Sequence, residues 1–299
     1  MTDLTCIQCG KSYKSMIDTS DTIPIMIDFS DSVFTEDLYS SSKKTEYNLP
    51  SRSFHFKGML RALYYKVIRP FSGSKINFSY IKNFINQNNQ ESINVLIIGG
   101  GTKGHGIDQI LSLEKANIVS VDVYPSNYVD IICDGSNLPF PDKYFDVVIT
   151  QSVIEHVLTP HKLVNEIHRV LNNNGIVYAE TSFVQQIHEG AYDFSRYSLS
   201  GHRWLFKHFD EIKSGCISGP GFALNWAIKY FMLGVTRSEA IAKLSSLLFF
   251  WLNWFDLIIP HKYKKLGAAE VYFLGEKSNT NIDQYDIINY FDKSYNEQN

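Results

Sequence analysis

The chain has 299 residues, of which 44% are hydrophobic, and a formal net charge of -3. This length and composition allow a substantial core, in one large domain with additions or in two domains. A slightly acidic chain gives no electrostatic reason to expect a nucleic-acid partner. Four cysteines are too few for a disulfide scaffold, and the N-terminus lacks a basic-then-apolar signal pattern, so we expect a cytoplasmic location.

A Cys-x-x-Cys pair lies close to the N-terminus. Cys6 and Cys9 are followed by a glycine and by residues 23–27 (IPIMI), which resembles the second half of a small zinc ribbon. A structural zinc site needs four ligands, and neither Cys133 nor Cys216 is an obvious completion. A ribbon remnant that packs without metal is one interpretation, and we therefore predict no metal site in the monomer. Zinc shared with a second chain or a partner protein is the other interpretation.

Two stretches separate this knuckle from the centre of the chain. Residues 30–50 are polar with mixed charge and predict a linker, so 1–50 is interpreted as a ribbon-like remnant with its linker. Apolar residues near helical spacing predict helices over 53–71 and 77–86, within a segment 51–92 that leads into the core.

A glycine-rich turn lies between two apolar runs in the centre of the chain. Residues 94–98 (NVLII) are typical of a strand buried on both faces of a parallel sheet, and 99–104 (GGGTKG) follow directly. A helix is predicted over 107–115 and a second strand over 118–121, which ends in Asp122. Strand, glycine turn, helix, strand and acid predict the nucleotide-binding half of a doubly wound α/β domain.

The glycine pattern alone leaves two cofactor classes open. Gly99, Gly101 and Gly104 also match the G-x-G-x-x-G of dinucleotide-binding folds, with Asp122 at about the expected spacing of roughly twenty residues. The segments that follow favour the other class; they are 134–135 (DG), 137–149 (NLPFPDKYFDVVI), 153–157 (VIEHV), 163–171 (LVNEIHRVL) and 174–178 (NGIVY). In this order they resemble the class I S-adenosylmethionine-dependent methyltransferases, in the subgroup whose fourth strand reads L-P-F-x-D-x-x-F-D-x-V. The resemblance covers roughly residues 93–180.

This resemblance implies a fold class and a division of the chain. The expected fold is α/β, with a doubly wound, Rossmann-like, seven-stranded sheet, an N-terminal ribbon-like segment and a C-terminal helical insert. The core would cover 93–215, the insert or lid 216–262, and the last core strand with a polar, loosely ordered tail 263–299. Within the last segment, residues 268–275 (AAEVYFLG) match the antiparallel strand that closes the family's sheet.

The resemblance also implies S-adenosyl-L-methionine as cofactor and a set of residues that bind it. Two glycines would admit its methionine part, Asp122 would accept from the ribose hydroxyls, and Asp134 would accept from the adenine amino group. The family usually has an acid two residues before the first glycine, where this chain has Ile97. The implied cofactor-binding residues are Gly99, Gly101, Asp122, Asp134, Gly135 and Gln151.

Residues 181–197 (TSFVQQIHEGAYDFSRY) follow the fifth strand, where this fold places its substrate loops. They resemble a block, Q-x-x-H-x-x-x-x-D-F-x-R-Y, of methyltransferases of bacterial surface-glycan and polyketide-like pathways. We predict a catalytic and acceptor-binding role for His188, Asp193 and Arg196, with His188 as general base and Arg196 as a bidentate ligand of an acidic group. The other interpretation is an internal Asp193–Arg196 salt bridge, and both can hold at once. His156 is a second candidate base, although a packing role fits it better.

The insert contains two stretches, 222–233 and 240–259, that are rich in Trp, Phe, Leu and Ile. Its most apolar part, 244–259, is too short and too polar to span a bilayer, which takes about 20 apolar residues. A buried helical insert is one interpretation. A lid or interfacial surface for a lipid-linked acceptor is the other, with peripheral contact to the inner membrane face through 222–260. Trp251 and Trp254, with the basic cluster Lys262, Lys264 and Lys265, would suit a headgroup region.

Taken together, the patterns predict a methyltransferase that acts on a hydroxyl of a sugar or related small acceptor, free or on a lipid carrier, in bacterial surface-glycan biosynthesis. A hydroxyl is a poor nucleophile at neutral pH, which is why a base such as His188 is needed. A non-catalytic homologue with binding or scaffolding function is the alternative, which the isoleucine at position 97 favours. A nucleotide-sugar dehydrogenase or epimerase ranks third, because the L-P-F motif has no role there.

Overall fold

The computed structural model describes residues 2–5, 12–15, 23–40 and 73–296. Thr2–Thr5 (β1) and Ser12–Ser15 (β2) pair as an antiparallel hairpin on either side of the expected knuckle. Cys6, Cys9 and the helix predicted over 53–71 lie outside the described residues. The zinc-ribbon resemblance and the absence of a metal site therefore stay predictions.

Seven further strands form one mixed sheet with the order β5-β4-β3-β6-β7-β9-β8. All of them run parallel except β9, which pairs antiparallel with both β7 and β8. This confirms the predicted seven-stranded, doubly wound sheet with its antiparallel last strand. The strands are β3 (Ile93–Ile98), β4 (Ala116–Asp122), β5 (Ile131–Ile132), β6 (Phe145–Gln151), β7 (Leu171–Ser182), β8 (Phe209–Ser218) and β9 (Glu270–Lys277).

Helices cover both faces of the sheet and form the insert. The described helices are α1 (Glu36–Ser40), α2 (Gly73–Gln87), α3 (Asp108–Leu111), α4 (Pro160–Val170), α5 (Leu199–Leu205), α6 (Pro220–Thr236), α7 (Glu239–Leu248), α8 (His261–Lys264) and α9 (Gln284–Asn296). Short 3-10 turns cover Ile154–His156, Gly190–Tyr192 and Phe250–Leu257. The helix predicted over 107–115 is therefore only one turn long.

Two separate clusters of apolar side chains hold the three layers together. On one face, α4 and α5 pack Leu163, Ile167 and Leu205 against the sheet. On the other face, α2 packs Phe78 and Ile81 against it. Buried apolar area of this kind stabilises folding by about 25 cal/mol per Å², and the two clusters explain why β3 and β6 are apolar on both faces.

The end of the chain differs from the expectation of a loosely ordered tail. Residues 284–296 form α9, which packs Tyr290 against the small core cluster of Leu199, Cys216 and Val271. The Tyr290 hydroxyl also lies 2.7 Å from the Ser214 hydroxyl. The aromatic side chain of Tyr290 thus attaches this helix to the sheet. The polar composition of the segment gave no indication of this contact.

The N-terminal segment 23–40 also departs from its prediction, because its second half was interpreted as a linker. Ile25 forms an isolated parallel bridge with Ile132 at the edge of the sheet. Phe34 and Tyr39 are buried in a cluster with residues around β5, and the Tyr39 hydroxyl donates to the Val123 carbonyl at 2.9 Å. Residues 31–40 are thus part of the core domain, while residues 41–50 lie outside the described residues.

Candidate active site

A cavity of about 1150 Å³ opens at the carboxyl ends of β3, β4, β6 and β7. The strand order reverses between β3 and β6, and open α/β sheets bind their ligands at such a switch point. The cavity is lined by all six predicted cofactor-binding residues and by His188, whereas Asp193 and Arg196 are not part of its wall. Its size suits a nucleoside cofactor together with a small acceptor, since ligand pockets measure about 300–1,000 Å³.

Glycine is required in this turn because neighbouring side chains lie close to its backbone and because one of its residues has a left-handed conformation. Gly99 has φ +79°, and a Cβ there would lie 2.1 Å from Cγ2 of Val153. A Cβ on Gly101 would lie 2.7 Å from Oδ2 of Asp122. Larger residues would push the turn away from β4 and from the cavity, so these two glycines are required by the geometry of the site.

Asp122 ends β4 beside this turn, as predicted. Its Oδ2 accepts from the Gly101 amide at 2.8 Å, and its Oδ1 accepts from the Tyr124 amide at 3.0 Å. Burial raises the pKa of the Asp122 carboxyl, although the backbone hydrogen bonds act in the opposite direction. Each oxygen keeps a second lone pair, so the oriented carboxylate can accept from ribose hydroxyls.

Asp134 lines the cavity and contacts the N-terminal segment. Its Oδ1 accepts from the Ser136 amide at 2.8 Å, and its Oδ2 accepts from the Ser32 hydroxyl at 2.5 Å. Phe34 lines the cavity here and stacks on Tyr192 with ring centroids 5.6 Å apart. The sequence reasoning missed Ser32 and Phe34, because one serine and one phenylalanine in a polar stretch give no signal.

Gln151, predicted to face the cofactor, belongs to a layer of polar groups just above the hydrophobic core. It pairs in register with Glu180 on β7, and its Nε2 donates to Oε2 of Glu180 at 3.0 Å. Side chains two residues apart on a strand share a face, so this layer lies above Ile97 and Tyr178. Glu180 therefore offers a cavity-lining carboxyl close to the place where the family's acid is replaced by Ile97.

Glu180 was not predicted from the sequence, and its environment is unusual for a carboxyl group. Burial raises the pKa of Glu180 to about 7, although hydrogen bonds from Tyr178 and Gln151 act in the opposite direction. Asn77 of α2 donates to the Tyr178 hydroxyl at 3.1 Å and completes this network. The carboxyl is thus protonated in part at neutral pH, unlike an exposed glutamate.

This pKa predicts a pH-dependent stability. Between about pH 4.3, the usual glutamate value, and the raised folded value, the folded chain binds one proton that the unfolded chain has lost. The free energy of unfolding therefore falls as pH rises through this window, and Glu180→Gln should remove that loss. From pH 5 to pH 8 the free energy of unfolding of the wild type should fall by roughly 2 kcal/mol relative to that of the variant. Urea unfolding at the two pH values measures this difference.

The exposed carboxylate of Glu276 on β9 provides the control. Glu276→Gln should shift the unfolding curve equally at both pH values. If Glu180→Gln also stays parallel to the wild type, the Glu180 carboxyl is not protonated in the folded chain near pH 6.

His188 lies on the cavity wall, where its ring contacts one hydrogen-bond acceptor and lies close to one carboxylate. Its Nδ1 lies 3.1 Å from the Gln186 carbonyl oxygen and 3.6 Å from Oδ2 of Asp193. A carbonyl oxygen only accepts, so Nδ1 carries the hydrogen and Nε2 keeps its lone pair. Asp193 also accepts from the His188 backbone amide at 2.9 Å. The ring is therefore positioned as a proton acceptor.

Asp193 and Arg196 do not have the direct acceptor contact that was predicted for them. The Asp193 side chain is 1% exposed, and it forms a bidentate ion pair with Arg196. Burial disfavours ionisation of Asp193, but the hydrogen bonds from Arg196 and His188 outweigh it and lower its pKa to about 2. The internal salt bridge, which was the other interpretation, is therefore present.

Every N–H group of Arg196 is already in use. Besides Asp193, the guanidinium donates to the backbone carbonyls of Gln185, Gln186 and Ser195. A guanidinium has five donors, and these contacts account for all of them, so none is left to grip a carboxylate or phosphate of an acceptor. Arg196 instead shapes the loop that carries His188, and Asp193 is a positioning residue.

His156 is adjacent to His188, with ring centroids 4.8 Å apart and nearly perpendicular planes. With Glu155 they form the one group of His, Cys, Asp and Glu residues, within the described part of the chain, whose ligand atoms are close enough to hold a metal ion. The buried Glu155 carboxylate accepts from Thr181 Oγ1 at 2.8 Å and from Ser182 Oγ at 2.7 Å. These hydrogen bonds satisfy Glu155 without a cation.

The L-P-F-P-D loop, which carried much of the family resemblance, is fixed by one arginine. Arg169 of α4 donates to the carbonyls of Leu138 and Phe140 at 2.9 and 2.7 Å. It also pairs with Glu166, whose carboxylate accepts from the Leu138 amide at 2.8 Å. The motif thus connects β5 to β6 in one defined path and shapes the cavity floor indirectly.

Comparison with known proteins agrees with this geometry. The sequence family described as "Methyltransferase domain" matches residues 98–179, and no curated protein matches the chain. A solved structure of Haemonchus contortus phosphoethanolamine N-methyltransferase 2 with S-adenosyl-L-methionine is 16% identical, with a TM-score of 0.46 over 73% of this chain and 56% of that one. Coclaurine N-methyltransferase is 13% identical, with a TM-score of 0.41 and coverage of 68% and 72%. The [4+2]-cyclase SpnF is 15% identical, with a TM-score of 0.40 and coverage of 67% and 80%.

Residues 98–179 therefore form a methyltransferase domain. The sheet around them has the class I order with its antiparallel last strand. The predicted methyltransferase fold is thus confirmed for this domain. The similarities to solved structures are too low to carry a reaction or a substrate from those proteins to this chain.

Proposed function

We propose that the chain transfers the methyl group of S-adenosyl-L-methionine to a hydroxyl of a sugar or related small acceptor, free or lipid-linked, in bacterial surface-glycan biosynthesis. The observation that carries the proposal is the oriented imidazole of His188, in the same cavity as Asp122 and Gln151. An alcohol acceptor requires a base held in one tautomer, whereas cofactor binding alone requires no base.

The proposed reaction is an in-line displacement. The cofactor supplies an electrophilic methyl group on a sulfonium. As the acceptor oxygen forms its bond to the methyl carbon, the C–S bond breaks and its electron pair stays on sulfur. The hydroxyl proton passes to Nε2 of His188, and the negative charge of Asp193, whose Oδ2 lies 3.6 Å from Nδ1, stabilises the imidazolium. Most of the acceleration would come from holding the two reactants in line.

The wall around His188 suits a polyhydroxylated acceptor. Gln185 and Glu270 line the cavity and are linked by a hydrogen bond of 2.8 Å from Nε2 to Oε1. Trp226 also lines it, with its ring centroid 6.0 Å from that of His188. An indole face provides an apolar platform for the C–H face of a sugar ring, while the amide and carboxylate groups can bind hydroxyls.

A non-catalytic binding protein is the second candidate, because Ile97 replaces the family's acid. Glu180 weakens this argument, since it brings a carboxyl to the neighbouring position in the same cavity. The two candidates differ in one observable, namely whether bound S-adenosylmethionine is ever converted to S-adenosylhomocysteine.

The test uses S-adenosylmethionine with an isotopically labelled methyl group and a panel of nucleotide sugars, oligosaccharides and lipid-linked sugars. We expect one labelled methyl group on a hydroxyl, as an ether that survives mild alkali where a methyl ester would be cleaved. Label found only on an amine or a carboxylate would contradict O-methylation. Binding without conversion, across the panel and across a total cell extract, would favour the non-catalytic candidate.

A further inference from the structure

The helical insert 220–260 has its apolar side chains on the outside. Among its most exposed residues, Ile258 is 73% accessible and Leu248 63%. Monomeric proteins rarely expose a contiguous apolar surface over several consecutive turns unless it binds something. We define the outer face of the insert by its large exposed side chains, chiefly Phe231, Val235, Leu248, Trp251, Leu257 and Ile258.

The polar residues of the same segment are turned inward and hydrogen-bonded. Asp256 is buried and accepts from the backbone amides of Gly219, Gly221 and Phe222 at the start of α6. Asn225 Nδ2 donates to the buried Asn253 at 3.2 Å. This arrangement is the inverse of an ordinary surface helix, whose polar side faces water. The insert is therefore built to expose its apolar side.

The exposed charged residues of the insert lie at the edges of this outer face and not within it. From residue 244 to 260 the only charged residue is Asp256, which is buried. Arg237, Lys243 and Lys262 flank the stretch, and Glu239 is the one exposed acid of the insert. Lys264 and Lys265, which were expected to contribute to this rim, are buried instead. The apolar face is thus bordered mainly by cations.

We propose that the outer face of the insert docks the protein on a phospholipid bilayer that contains anionic lipids. Tryptophan and aliphatic side chains bordered by lysine and arginine are the composition of an interfacial segment. A protein partner is less well suited, because protein interfaces carry about one hydrogen bond per 100–200 Å² and the buried Asn225, Asn253 and Asp256 offer none to a partner. None of the helices in the described ranges is long and apolar enough to cross a membrane.

Helix α6 contributes residues both to the outer face of the insert and to the cavity wall. α6 carries Trp226 on the cavity wall, while Phe231 and Val235 of the same helix are exposed on the outer face. Docking would therefore bring the His188 side of the cavity close to the membrane surface, where a lipid-linked acceptor resides. The docking itself is independent of the proposed reaction, because it needs neither cofactor nor acceptor.

The test is sedimentation of the full chain with vesicles of phosphatidylcholine, with and without phosphatidylglycerol. We expect binding that increases with phosphatidylglycerol and weakens with added salt. Ile258→Glu and Leu248→Glu should each lower the binding constant roughly tenfold or more, because each places a charge within the apolar layer. Ile288→Glu on α9 is the matched control, since Ile288 is equally exposed at 74% and should leave binding unchanged.

Affinity for S-adenosylmethionine, measured on the same variants, reports whether each one is folded. Failure of the wild type to bind either vesicle would overturn the proposal, as would an equal loss in Ile288→Glu. A concentration-dependent dimer that Ile258→Glu dissociates, without vesicle binding, would show that a second copy of the chain covers this face and would also overturn it. Neither result would affect the labelling experiment, so the two proposals fail separately.

Discussion

Replacing His188 with alanine is expected to lower turnover by a hundredfold or more, which is about the usual contribution of a general base. Affinity for S-adenosylmethionine should stay nearly unchanged, because the predicted cofactor contacts come from the ends of β3, β4, β5 and β6 rather than from the loop of His188. The measurement is turnover with saturating acceptor, together with the dissociation constant of the cofactor.

Two further variants separate a chemical role from a structural one. His208→Ala is the matched control, because His208 contacts Asn281 and is not part of the cavity wall. Asp193→Asn removes the charge behind Nδ1 of His188, and it should change the pH profile of turnover more than the cofactor affinity. If His188→Ala keeps the turnover of the wild type, His188 is structural and the O-methylation mechanism loses its base.

Replacing Asp122 with alanine is the second large expected effect. The variant should lose about 1.5–3 kcal/mol of binding free energy for S-adenosylmethionine, the range for hydrogen bonds to a charged group. The reason is the loss of a half-buried carboxylate that the Gly101 and Tyr124 amides hold in place. Asp122→Asn keeps the size and one acceptor oxygen, so it should lose less.

Calorimetric titration of the cofactor measures both variants directly. Asp210→Ala on β8 is a suitable control, because Asp210 is exposed and does not line the cavity. Equal affinity of wild type and Asp122→Ala would show that Asp122 does not bind the ribose. A lower unfolding temperature without ligand would instead indicate that Asp122 mainly holds the glycine turn.

The sheet and the cofactor end of the cavity could be predicted because their residues follow local rules. β3 and β6 contain the apolar runs 95–98 and 147–149, and only glycine fits at Gly99, whose φ is positive and whose neighbour Val153 is close. Asp122 follows at the expected spacing. Each of these signals lies within a short stretch of sequence, so no long-range contact is needed to recognise it.

The remaining features depend on contacts between distant segments. Ser32 meets Asp134 across 102 positions, and the sequence around Ser32 indicates only a linker. Arg196 was expected at the acceptor, yet its donors are used by carbonyls that only the folded loop brings together. Glu180 had no signal as a site residue, because its raised pKa comes from burial beside Tyr178.

The orientation of the insert also could not be predicted from the sequence. Its composition was compatible with a buried helix and with an interfacial surface, since hydrophobic residues alone do not reveal which side faces the protein. The inward direction of Asn253 and Asp256 leaves the apolar side chains of this segment exposed, while its membrane contact stays a proposal. A buried insert was therefore the wrong interpretation of residues 244–260.

The central claim is that the cavity at the ends of β3, β4, β6 and β7 is an S-adenosylmethionine site. Isothermal titration of the full chain with S-adenosylmethionine, S-adenosylhomocysteine and NAD tests it most directly. We predict that the first two bind with one site per chain and that NAD gives no heat of binding. Binding of NAD, with neither S-adenosylmethionine nor S-adenosylhomocysteine bound, would contradict this claim and would show that the glycine turn belongs to a dinucleotide-binding site.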